Sequence, residues 1–389
     1  MLKFFSPVFI STGFVSVLVG YTSAGAIVFQ AAAAGGASPE QISSWLWALG
    51  IGMGISGIAL SLWYRTPIIV AWSTPGAALL VTSLPGIPMS EAIGAFILCS
   101  ALLMICGITG WFEKIMEFVP QSLASAMLAG VLLRFGLNTF LAIETQFIMV
   151  GLMLTTYILG KRYFPRYVIP VTFAIGAAYA SYLGLVDATK LDVALTIPVL
   201  TLPTFNITTL IGVGIPLFIV TMASQNIPGV AVLRAHGYKT PASPLIGWTG
   251  FTGIIFAPFG GFAFNLAAIT AAICMGDMVD PDKKKRYQAA VWAGIFYILM
   301  GLFGATVASL FTLFPIELVM AIAGLALLGT IGNSLKIALD SEPEREAAFI
   351  TFAITASGMS LLTIGAPFWG LIAGLIVYYF ANFTRAKTV

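Results

Sequence analysis

Two segments of this sequence could do chemistry, and both are broken by Gly, Pro and polar residues. One is TPIIVAWSTPGAALLVTSLPG, residues 66–86; the other is APFGGFAFNLAAITAAICMG, residues 257–276. In the first, 68–72 can be extended. Ser73 or Thr74 then caps a half-helix with Pro75 and Gly76 in its first turn, a helix-start pattern. In the second, 261–264 is the expected extended stretch, and Asn265 the expected cap, followed by Leu266 and a small-residue helix. Two such half-helices in opposed orientation can aim both amino termini at one point. Free N–H groups and the positive dipole ends then make an anion site with no buried cation. Trp72 and Phe264 stand where they could stack on a planar solute. The plainer alternative is two irregular core helices, with Pro75 only a kink.

A third cluster is VTMASQNIPGVAV, in which Ser224, Gln225 and Asn226 interrupt an apolar run. Amides inside a membrane are costly unless paired, so they serve packing or a site. Tyr21, Thr22 and Ser23 occupy the matching place early in the chain. The candidate substrate-binding set is therefore Tyr21, Ser23, Trp72, Ser73, Thr74, Gly76, Ser224, Gln225, Asn226, Phe264, Asn265 and Leu266.

The elements that position these residues must lie in lipid. Of 389 residues, 59% are hydrophobic and 8% charged, with a net charge of +3. So little charge cannot cover a water-facing surface, and it is too scattered for nucleic acid. Spans of roughly 20 apolar residues are expected at 7–34, 42–63, 67–83, 90–109, 116–134, 145–160, 167–185, 208–233, 242–257, 261–276, 287–308, 315–335, 346–363 and 366–383. The first reads as a span, not a removed signal peptide. With the amino terminus inside, 16 of the 18 Lys and Arg fall in inner segments, and only Arg134 and Lys190 fall outside. That bias supports the count and places both termini in the cytoplasm. Cys99, Cys106 and Cys274 lie in apolar stretches as core hydrophobes.

A weak repeat relates the halves. Gly107, Gly110, Pro120 and Gly130 match Gly301, Gly304, Pro315 and Gly324 at offsets of 194 or 195, and Ser23 and Gly36 match Ser224 and Gly237 at 201. Seven spans per copy invert the second copy, an architecture of secondary transporters with the site at the repeat interface. Chance recurrence of Gly and Pro is the alternative.

At these residues the sequence resembles the benzoate transporter family, often called BenE. The shared stretches include VGYTSAGAIVFQAA, LWYRTPIIVAWSTPGAALL, GITGWFEKIMEFVPQSLASAMLAGVLLRFG, PLFIVTMASQNIPG and TASGMSLLTIGAPFWGLIAG. The resemblance implies a proton-coupled symporter of benzoate or a similar aromatic carboxylate. More distantly the chain is similar to the uracil permease and sulfate permease superfamily. That likeness implies an all-α membrane fold of fourteen segments in a 7+7 inverted repeat, with segments 3 and 10 as half-helices preceded by short β-strands. It further implies first and second repeats over 1–190 and 205–389. The core domain comes from 1–109 and 205–308, and the gate domain from 110–190 and 309–389. Elevator-like movement of core against gate, a homodimer and a location in the cell's inner (plasma) membrane follow from the same likeness. Where nucleobase members carry acids on segments 8 and 10, this chain has Gln225 or Asn226 and Asn265. That departure suits an anionic substrate and leaves the proton's carrier unassigned. Glu91, Glu113, Glu117, Glu144 and Glu317 fall near span ends, and His236 in an inner loop.

The competing classes are another small anion or nucleobase-like solute on the same fold, a channel, and an intramembrane enzyme. No filter-like ring of charge is present. No H-E-x-x-H, nucleophile elbow or Walker A sequence occurs either. Neither a cofactor nor a metal is expected; the expected partners are the anionic substrate, the proton and lipid.

Overall fold

The computed structural model describes residues 6–111, 120–165, 167–186, 193–277, 279–361 and 364–386. Lys3, Glu113, Lys114, Glu117, Arg166, Lys190 and Lys387, and the side chain of Ser23, lie outside that description.

The chain is helical almost throughout. The first helices are α1 (Pro7–Ala34) and α2 (Pro39–Tyr64), then strand β1 (Val70–Trp72), α3 (Thr74–Ser83) and α4 (Met89–Thr109). After 112–119 come α5 (Gln121–Thr145), α6 (Phe147–Tyr163) and α7 (Val168–Tyr182). The next span, α8 (Ile207–Arg234), contains two π turns, Leu210–Gly214 and Met222–Asn226. Then follow α9 (Ala242–Phe256), strand β2 (Phe264–Leu266), α10 (Ile269–Met275), α11 (Tyr287–Leu302), α12 (Gly304–Leu313), α13 (Ile316–Asp340) and α14 (Arg345–Ser357). Two-residue strands β3 (Ser360–Leu361) and β4 (Ile364–Gly365) pair with each other before α15 (Ala366–Ala386).

Local chemistry sets many of these ends. A capping box of Ser38 and Gln41 with Pro39 starts α2. Asn206 accepts from the Thr208 N–H to start α8. Between α7 and α8 the segment 193–206 has no regular secondary structure and is held by other loops and helix ends. Thr196 donates to the Leu302 carbonyl, Thr201 to Pro258 and Thr204 to Ser90.

With no hydrophobic drive between helices in lipid, close packing of small residues holds spans together. A Cβ at Gly50 would lie 2.5 Å from the Gly301 Cα, which locks α2 to α11. A Cβ at Gly107 would lie 2.2 Å from the Gly247 Cα, which locks α4 to α9. The two contacts have the same layout. Gly50 and Gly247 differ by 197 positions and Gly107 and Gly301 by 194, so each pair joins one helix of the first half to one of the second.

Several expectations need correction. Span five does not end at Arg134. It runs over Gln121–Thr145, so Arg134 stands in the middle of α5 and not in an outer loop. The expected span 287–308 bends by 74° at Phe303, between α11 and α12. The expected span 346–363 ends at Ser357, where Gly358 takes the left-handed conformation that closes α14.

Candidate functional site

The two broken segments meet. β1 and β2 pair antiparallel, with Val70 opposite Leu266, Ala71 opposite Asn265 and Trp72 opposite Phe264. The helices leave this short ladder from opposite ends: α3 follows Trp72, and α10 follows Leu266. Those ends are separated by about 7 Å along the strand.

Ser73 caps α3, accepting from the Gly76 N–H at 3.0 Å, with Pro75 in the first turn. Gly76 is there because α8 is close: a Cβ would fall 2.7 Å from Leu217. Thr74 is half-buried. Asn265 differs from its expectation. The extended stretch is 264–266, not 261–264, so Asn265 is in β2 and caps nothing, and α10 begins at Ile269 without a side-chain cap. Its Nδ2 donates to the Ala263 carbonyl at 3.0 Å, while its Oδ1 is buried without a partner. The bend that allows this is at Ala263, whose φ is +44°. A left-handed residue there, after three apolar or glycine positions, carries no sequence signal.

Strand alternation divides the site into two faces. Asn265 and Ala71 share one face, and Ser73, still extended, continues it. Trp72, Phe264, Val70 and Leu266 share the other. Trp72 meets Tyr21 of α1 edge to face at 4.9 Å between centroids. Phe264 is also not free to stack on a solute. Its ring is fully buried where Gly52 of α2 leaves space, since a Cβ there would fall 2.6 Å from the ring, and it tilts against Phe256 at 6.2 Å.

The α8 cluster splits by role. Asn226 accepts from the Leu266 N–H at 3.0 Å and so fixes β2. Ser224 gives its hydroxyl to the Val220 carbonyl one turn back. Gln225 is half-buried. The π turn Met222–Asn226 supplies the extra residue that brings Asn226 to the strand. Gly229, not expected in the site, is equally needed, because a Cβ would fall 2.7 Å from the Leu266 backbone oxygen and Cβ. Ser16 of α1 donates to the Thr270 carbonyl of α10 at 3.0 Å. Tyr21 is buried with an unpartnered hydroxyl. Behind it opens an apolar cavity of about 400 Å³ lined by Phe14, Phe173, Phe296 and Phe314 among others. That chamber offers a carboxylate no cation.

A second residue missed in sequence is Arg286, only 2% exposed. Its guanidinium donates to the Met275 carbonyl at the end of α10, to the Asp280 carbonyl and to Asp277 Oδ1. A cation at a helix carboxyl end complements the dipole.

The family model for the benzoate membrane transport protein matches residues 3–380. The chain belongs to the benzoate membrane transport protein family. It is 40% identical over 367 residues to the benzoate membrane transport protein of Acinetobacter baylyi, covering 94% of this chain and 93% of that one. It is 48% identical over 376 residues to the inner membrane protein YdcO of Escherichia coli, covering 97% and 96%. The fold is similar to the transmembrane domain of a cyanobacterial bicarbonate transporter, BicA, with a TM-score of 0.61 at 13% identity over 95% and 97% of the two chains. The murine Solute Carrier 26 family member A9 anion transporter gives 0.57 at 13% identity, over 96% of this chain and 68% of that one. The benzoate transport family is one of membrane transporters, not enzymes.

Proposed function

We propose that the protein is a secondary active transporter of benzoate or a similar aromatic carboxylate, coupled to protons and working by elevator-like movement. The observation that carries the reading is the crossing itself. Two half-helices start from opposite ends of one buried strand pair, with Ser73 capping α3 and the buried Asn265 on the same face of the ladder. The carboxylate lies on the polar face made by Ser73, Ala71 and Asn265, near Thr74, Gly76 and Gln225. Trp72 and Tyr21 pack behind the ladder on its other face. Asn226, Ser224, Phe264 and Leu266 hold the frame, and Phe264 does so in place of direct contact with the substrate. The free N–H groups that open α3 are the donors for the carboxylate.

The architecture proposed around this site is fourteen segments in two inverted repeats, 1–190 and 205–389, supported by the exchanged glycine contacts of α2 with α11 and α4 with α9. The moving core comes from 1–109 and 205–308, and the gate from 110–190 and 309–389. The protein sits in the bacterial inner membrane as a homodimer with both termini cytoplasmic, the side on which most Lys and Arg fall. The fully buried Phe264 and Ser73 favour, as second reading, a smaller anion on the same frame. Uptake of radiolabelled benzoate into proteoliposomes under an inward proton gradient tests the function. Saturable uptake that the gradient stimulates is expected. Saturable uptake of inorganic anions with none of benzoate selects the second reading.

A further inference from the structure

A second cavity, of about 220 Å³, lies away from the strand crossing. It is enclosed by the end of α3 (Thr82, Ser83), the middle of α5 (Gly130, Arg134), the end of α14 (Thr355, Gly358) and the first turn of α15 (Ala366, Pro367). Thirteen residues of α5 separate Gln121 from Arg134, about 20 Å of helix, and the 13 residues of α14 rise equally far. The guanidinium and the non-helical backbone at 358–361 and 364–365 are therefore placed deep in the bilayer. Irregular backbone at such depth persists only where protein buries it or a cavity needs it, and an intramembrane arginine marks a functional site.

The surroundings are those of an anion site. Arg134 Nη2 donates to the Ser357 carbonyl at 3.3 Å, which spends one of five N–H donors. Among the described residues no carboxylate is within 4.0 Å of it. The Ser83 and Thr355 hydroxyls are buried with no hydrogen-bond partner, and Thr355 is 4% exposed. Ala366 and Pro367, in the first turn of α15, line the same space, at the positive end of that helix's dipole. Gly358 makes room for the guanidinium: a Cβ there would fall 1.9 Å from Nη2. Val131, Ile87 and Met359 complete an apolar wall.

We propose that this pocket is a second binding site for a small carboxylate, separate from the crossing, in which Arg134 pairs with the carboxylate and the apolar wall takes its body. The volume is below the 300–1,000 Å³ of drug-sized pockets and suits a single-ring or smaller anion. Because α3 is assigned to the moving core and α5, α14 and α15 to the gate, an anion here spans the seam between them.

The test is anomalous diffraction from crystals of the full chain grown with 4-iodobenzoate, for the wild type, Arg134→Gln and Arg134→Lys. An iodine peak between α3, α5 and α15 is expected in the wild type, weakened at least tenfold in occupancy-derived affinity in Arg134→Gln and partly kept in Arg134→Lys. The same crystals with iodide in place of 4-iodobenzoate separate a carboxylate site from one for any small anion; iodide alone in the pocket overturns the carboxylate assignment. A peak that persists unchanged in Arg134→Gln, or one only at the strand crossing, also overturns the proposal and leaves Arg134 as a cap on α14. A peak at Arg134 with none at the crossing upholds this site and counts against the transport site proposed above. Should Arg134→Gln not yield folded protein, Gly358→Ala displaces the guanidinium without removing it, and the same loss of the peak is expected.

Discussion

Asn265→Asp exchanges one atom and separates a structural amide from a ligand contact by its pH dependence. In the wild type Nδ2 donates to the Ala263 carbonyl, and the side chain is fully buried. An aspartic acid keeps that bond only while protonated, because an ionised oxygen there faces a carbonyl oxygen. Burial and the opposing carbonyl both disfavour the charged form, so the new carboxyl titrates well above the ordinary value of about 3.9. A group with a raised pKa in the folded state stabilises below its unfolded pKa and loses that support as pH rises through the folded one. The variant is therefore close to wild type in acid and impaired in base. Two costs appear on ionisation. The lost bond to Ala263 costs about 1–3 kcal/mol of stability. Repulsion of a substrate carboxylate at about 4 Å costs about 4 kcal/mol at an effective dielectric constant near 20, roughly a thousandfold in affinity. Initial uptake rates of benzoate, measured as the ratio of variant to wild type from acid to alkaline pH, should fall steeply, and the thermal midpoint of unfolding should fall with it. A ratio that stays flat while the thermal midpoint falls would remove Asn265 from the ligand's surroundings.

Ser73→Ala leaves the buried Gly76 N–H without its acceptor; the loss of about 0.5–2 kcal/mol expected for a cap should lower the thermal midpoint and raise the KM for benzoate, and a KM equal to wild type contradicts it. Gly229→Val forces α8 from β2, where even a Cβ meets Leu266 at 2.7 Å; overpacking of about 1–3 kcal/mol should reduce stability and uptake together. Arg286→Gln removes the charge that holds the end of α10; with charge-assisted bonds at about 1.5–3 kcal/mol each, unfolding in detergent should come several degrees earlier, and an unchanged midpoint refutes the anchoring role.

How much of this was legible in the sequence depended on the kind of signal. Ser73, Pro75 and the opening of α3 could be read because an N-cap and a first-turn proline are local chemistry. Nothing in GGFAFN marks Ala263 as the left-handed turn, so the sequence sets the second extended stretch three residues too early. Asn265 therefore looked like a cap when it is a strand residue. Trp72 and Phe264 look equivalent in sequence, yet the ladder aims one ring at Tyr21 and the other into the slot at Gly52, a tertiary fact. A span counted from 116 reaches its usual length at Arg134, whereas the helix runs over Gln121–Thr145. The apolar run FGLNTFLAI after it was the signal that the helix continues. Arg286 read as one more inner-loop cation, since only the folded loop turns its guanidinium toward Met275.

The most direct measurement is dipolar recoupling by solid-state NMR between carboxyl-¹³C benzoate and ¹⁵N-labelled protein in lipid. Dephasing by the backbone nitrogens of Ser73 to Gly76 and by the Asn265 amide is the predicted result. Dephasing only by the Arg134 guanidinium, or none while the ring carbons contact the phenylalanines behind Tyr21, would contradict a carboxylate held at the strand crossing.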